Sequence, residues 1–166
     1  MLSHIENGAP KAISAALNRT VDGVRADVVR EITETYDIRA KDVRANVGVK
    51  KSNPSTLRAA VCGKGSPIPL INFRVTPSKP GQQRPGTALR ASVKRSGGLP
   101  IPGAFVARFK SGHVGVLRRI GKARLPVREL FGPALPQMMG GEKVRKEVLA
   151  RAEERFGKRL DHEIAR

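Results

Sequence analysis

Acidic residues are missing from the whole middle of this chain: no Asp or Glu lies between Val43 and Arg128. Tryptophan is absent altogether. Tyr36 and the phenylalanines at 73, 105, 109, 131 and 156 supply every large ring. The 166 residues suffice for one domain spanning 1–166. A chain of that length buries roughly 68–70% of its unfolded surface, so the core is expected to be aliphatic and helped by neighbouring subunits. A lone cysteine, Cys62, excludes an internal disulfide and is read as a small strand residue. No apolar run approaches the ~20 residues of a membrane helix. Met1 to Glu6 offers neither the basic start nor the apolar stretch of a leader. No membrane partner is expected, and the product is expected to stay in the cytoplasm unless it leaves inside an assembly.

The same scarcity removes most chemistry. His4, His113 and His162 are far apart, with no second His or Cys at ligand spacing, so no metal is expected. A Mg²⁺ nuclease needs clustered carboxylates, and the middle of the chain has none. Gly63-Lys64-Gly65-Ser66 lacks the spacing of a phosphate-binding loop and reads as a turn. His113 as a base would need a nucleophile and an orienting acid beside it. Zinc-finger spacing and a clear helix-turn-helix are also missing. The expectation is a chain without cofactor, metal or catalysis.

What is present is charge. The acid-free stretch holds 18 Lys and Arg, while the flanks hold 14 basic and 14 acidic residues. The whole net charge of +18 therefore belongs to the middle. Such a body needs a polyanion or acidic protein surfaces nearby.

Periodicity orders the rest. Ile13, Leu17, Val21, Val24, Val28 and Ile32 form one stripe of a helix over 10–36, with Pro10 in its first turn. The acids and bases between them read as a solvated or interface face. Val43 and Val47 suggest a short helix over 40–47, and Asn53-Pro54 a turn. From 56 to 120 the period becomes two. Leu57/Ala59/Val61, Ile71/Phe73/Val75, Leu89/Ala91/Val93 and Phe105/Ala107/Phe109 are each set as the apolar face of a strand, and Val114/Val116 begin a fifth. The opposite face is basic. Phe109 to His113 signals a tight hairpin, and 77–87, with three prolines, a long exposed loop. Val144, Val148, Leu149, Ala152, Phe156, Leu160 and Ile164 mark a C-terminal helix over 136–165 that Gly140-Gly141 either starts or kinks. The class is α+β: an antiparallel sheet of four to five strands with N- and C-terminal amphipathic helices packed on one face.

The segment from Leu99 to Gly140 carries a sharper signal. Ile101-Pro102-Gly103-Ala104-Phe105 enters a strand, and a hairpin follows around Lys110-Ser111-Gly112. Arg119, Gly121-Lys122 and Arg124-Leu125-Pro126 come next, then an apolar turn through Pro133, Ala134 and Pro136. This order resembles the prophage minor tail protein Z family, the tail-completion proteins of lambda-like phages. The resemblance implies a structural virion protein, assembled in the host cytoplasm, acting late in tail assembly at the head–tail junction. Its implied partners are the tail terminator, neck or connector proteins and the tape-measure protein, and it implies a homo-oligomeric, hexameric ring around DNA. Six subunits of +18 far exceed the ~18 phosphate charges of a ~30 Å length of duplex, so only a minority of cations should line a channel. The candidates are Arg74, Lys79, Arg84, Arg90 and Lys94. The alternative reading of the charge is a stand-alone basic nucleic-acid-binding protein.

Overall fold

The computed structural model describes residues 8–165, so the leader-free reading of Met1 to Glu6 lies outside the described residues. A long helix, α1 (Gly8–Thr35), is followed by a short one, α2 (Ala40–Arg44). Ten short strands come next: β1 (Val47–Lys50), β2 (Ala60–Gly63), β3 (Pro67–Pro69), β4 (Arg74–Thr76), β5 (Leu89–Ser92), β6 (Leu99–Ile101), β7 (Ala104–Arg108), β8 (Val114–Arg119), β9 (Val127–Glu129) and β10 (Phe131–Ala134). Two helices close the fold, α3 (Leu135–Met139) and α4 (Glu142–Ile164). The α+β class holds.

The single sheet does not. The strands form four small antiparallel sheets, ordered β1-β2, β10-β3, β4-β5-β6 and β7-β8-β9. Proline explains part of the fragmentation, because it cannot donate to a ladder. Pro67, Pro69, Pro100 and Pro133 all sit inside short strands, and β10 pairs β3 with a register shift between Phe131 and Ala134. Two other boundaries also move. Val47 opens β1 instead of closing α2, and Leu57, at φ 43°, belongs to the turn before β2. That turn is built by Asn53, whose Oδ1 accepts from the backbone N–H groups of Ser55 and Thr56 and from the Thr56 hydroxyl.

The helical stripes are confirmed where they meet. Val21, Val28 and Ile32 of α1 and Val144 and Val148 of α4 are buried, and one core joins all of these but Val21 to Phe73, Val75, Leu89, Val106, Val116, Leu135 and Met138. The α4 stripe is not buried along its whole width: Leu149 and Ile164 are exposed. Gly140-Gly141 breaks the chain into α3 and α4 instead of kinking one helix. The chief partner of α4 is α1, not a sheet.

Two acids of the face read as solvated or interface turn inward here, towards α4. Glu31 and Asp27 of α1 are 2% and 4% exposed. Arg151 Nη1 donates to Glu31, and Arg155 Nη1 to Asp27 Oδ2 at 2.6 Å. Arg30 flanks both, at 2.8 Å from Asp27 and 3.8 Å from Glu31. The hydrogen bond to Glu31 holds the Arg151 guanidinium above its ordinary pKa. Gly23 makes room for this: a Cβ there would lie 2.7 Å from the Arg155 guanidinium. A glycine inside a helix costs about 0.5–1 kcal/mol relative to alanine, and here it admits the cation that satisfies Asp27.

The register of β7 is opposite to the one expected. Ala104 and Val106 face the core, whereas Phe105 is only half-buried and Phe109 is 38% exposed, stacked on His113 with ring centroids 5.6 Å apart. Ala-Phe-Val-Ala is apolar on both faces, so alternation alone does not choose a side. The hairpin itself is as expected, with Phe109 N donating to His113 O and Gly112 at φ 84°. Phe109→Ser should therefore shift stability by no more than about 0.5 kcal/mol. Thermal denaturation beside the unchanged chain checks this; a loss of several kcal/mol would restore the buried register.

Candidate functional site

The loop 77–88 joins β4 to β5 and is exposed along most of its length. It stands against the start of β7 and the end of β8, and between them lies a cleft of about 1350 Å³. One wall is Gly81, Gln83, Arg84 and Pro85 to Ala88. The other is Pro102 to Val106, Arg118, Arg119, Gly121 and Lys122. The loop is tied down by Gln83, whose Nε2 donates to Thr87 O at 2.8 Å and Ala104 O at 3.1 Å. Gly103, at φ 71°, makes the tight turn between β6 and β7 that puts Pro102 on the rim.

Four cations line the cleft and no acid does: Arg84, Arg118, Arg119 and Lys122. Among the described residues, none of the four is ion-paired with a carboxylate. Arg119 lies over the Phe105 ring, 5.6 Å from its centroid. Arg118 sits directly opposite Arg128 across β8 and β9, a like-charge pairing that destabilises a sheet unless an anion screens it. Nearby Glu129 is turned away to His113 Nε2, at 2.9 Å, across the space left by Gly115. His113 thus has its orienting acid, but Phe109 is the neighbour on its other side.

Six of the expected family-motif residues meet here: Pro102, Gly103, Ala104, Phe105, Gly121 and Lys122. Ile101, Pro126 and Pro133 do not line the cleft. Ile101 closes β6, Pro126 accepts from Ile120 N at 3.2 Å, and Pro133 belongs to β10. Of the five cations proposed for DNA, only Arg84 lines it. Arg74 and Arg90 share the outer face of β4 and β5, where Arg90 Nη2 donates to Gly98 O at 3.1 Å. Lys79 is exposed on the loop, and Lys94 is exposed beside a bridge to Tyr36. Arg118 as a lining residue was not legible, because its meeting with Arg84 depends on where the loop folds back. Among the described residues no group of three or more His, Cys, Asp or Glu could hold a metal, and no helix is long and apolar enough to cross a membrane.

The model of the family described as prophage minor tail protein Z matches residues 1–166. The chain belongs to that family. Its members are structural proteins of phage tails, and a phage tail structural role follows for this one. The chain is also similar to the tail completion protein of Escherichia phage N15, 24% identical over 122 residues, which cover 74% of this chain and 66% of that protein. No solved structure matches. The cleft is thus a one-signed surface on a phage tail structural protein.

Proposed function

We propose that this minor tail protein is a tail-completion subunit at the head–tail junction, part of the virion, assembling into a hexameric ring through which DNA passes. In this reading it catalyses nothing and takes no cofactor. Its neighbours are the tail terminator, the neck or connector proteins and the tape-measure protein. Family membership and the N15 relative support the tail role. The observation that carries the DNA part is the strong positive charge of the β region, whose outer-face Arg74 and Arg90 have no carboxylate partner among the described residues. Dispersed cations neutralise a passing phosphate backbone without reading bases, and screening beyond ~8 Å at physiological salt keeps the hold loose enough for sliding.

Binding to two unrelated duplexes should be equal and should fall steeply with salt. Replacing Lys79, Arg84 and Arg90 by Ala should flatten the salt slope by at most about three units, near one per lost phosphate contact. Titration at several salt concentrations measures both. A preference for one duplex that survives high salt would favour the stand-alone nucleic-acid-binding protein. Electron microscopy of the assembled particle tests the ring.

A further inference from the structure

The cleft contains more than charge. β7 is the first strand of its sheet, with β8 on one side and, among the described residues, no strand on the other. The alternation of its hydrogen bonds follows from three contacts. Phe109 N donates to His113 O at the hairpin end. Counting back by twos along the register, Ala107–Gly115 and Phe105–Leu117 are the pairs that exchange ladder bonds. Val116, opposite Val106, accepts instead from Leu130 N on the far side, so the Val106–Val116 pair turns its polar groups apart. The carbonyl of Ala104, in step with Val106, accepts the Gln83 side-chain amide from the loop. Val106 and Arg108 therefore point their N–H and C=O groups away from β8. Gln83 fills the first rung of a ladder whose next two rungs carry no strand among the described residues.

We propose that an extended, acidic segment of a different protein adds to the open edge of β7. Its backbone continues the ladder at Val106 and Arg108, and its carboxylates meet Arg84, Arg118, Arg119 and Lys122. Strand addition takes affinity from main-chain hydrogen bonds and selectivity from the side chains beside the edge. Here those side chains are four cations over apolar Pro85, Pro102 and Phe105, which suits a segment alternating acidic and apolar residues. A duplex backbone fits less well. Its phosphates accept hydrogen bonds but donate none, whereas a strand edge presents carbonyls that need donors. A second copy of this chain fits less well too, because no strand among the described residues holds more than one acid.

The inference does not depend on DNA passing through a ring, and its test is separate. The full chain is titrated, by fluorescence anisotropy, against a labelled eight-residue peptide alternating Glu and Val. Two further peptides carry N-methyl groups on alternate amides, one set per backbone edge, with charge unchanged. The unmodified peptide should bind. One N-methylated peptide should bind nearly as well and the other should lose binding, since only one edge faces β7. Arg84→Ser with Lys122→Ser should weaken binding roughly tenfold. The peptide arms leave the protein untouched, so a poorly folded variant cannot blunt the result. Equal binding of all three peptides would overturn strand addition, as would no binding at low salt. A short duplex that displaces the peptide and loses its own binding in the double variant would assign the cleft to DNA and overturn the proposal.

Discussion

Ile32→Ala should lower the melting temperature by about 10 °C. Ile32 is fully buried on α1 and belongs to the one core that joins the helices to the strands. Truncating such a side chain removes transfer free energy and leaves a cavity, together ~2–5 kcal/mol. In a domain of this length each kcal/mol moves the midpoint by roughly 2–4 °C. Its partners make collapse of the cavity difficult. Val28 lies one turn away on the same helix, Tyr36 follows directly after its end, and Val43, Val144 and Leu135 come from three other helices. Ile13→Ala, at the open end of the same stripe and half-buried, should cost far less. Thermal denaturation of the two variants side by side is the check. Equal losses would mean that the helix is held evenly along its length, contrary to the core described.

Arg151→Leu should be more damaging than Glu31→Leu, and the two together less damaging than Arg151→Leu alone. Without Arg151, the carboxylate of Glu31 stays buried with only Arg30, 3.8 Å away, to compensate it. An uncompensated buried charge is costly, while replacing both partners by apolar groups is often neutral or favourable. Without Glu31, Arg151 simply extends into solvent, where its side chain is already 35% exposed. The melting temperature of Arg151→Leu should fall by roughly 5–10 °C and recover most of that in the double variant. A double-mutant cycle separates the terms. If Glu31→Leu proved the worse single change, the pair would act through helix packing and not through charge.

These two sites show what local sequence encodes. The stripe through Val21, Val28 and Ile32 repeats with the helix period, so both α1 and its buried face were legible. Glu31 carries no such mark: a charge one position from the stripe looks solvated until α4 supplies Arg151 from 120 residues away. The strands divide in the same way. Val75 and Leu89 alternate with polar neighbours and lie buried in strands as expected; Phe73 is buried too, but it follows a 3-10 turn over Leu70–Asn72 where the strand was expected to run on from Ile71, and β7 is apolar on both faces, so its register was decided by what packs against it. The cleft lay further from view. Gly103 and Lys122 stood out through their family pattern and Arg84 through its loop, but only the fold of that loop brings them together. Sheet fragmentation depends on which distant strands meet, as β3 and β10 do, and local alternation does not carry that information.

Charge neutrality in the chain flanks, set against the acid-free stretch 43–128 that forms most of the strands, makes the molecule a strong electric dipole. A neutral body with a basic pole experiences a torque near any polyanion before it makes a contact. The β half arrives first, and the α1–α4 layer trails behind, presenting balanced charge to whatever approaches from the rear. Subunits gathering on one polyanion therefore start out facing the same way. Salt should slow their capture by shortening the reach of that torque, while the pose they finally adopt stays the same.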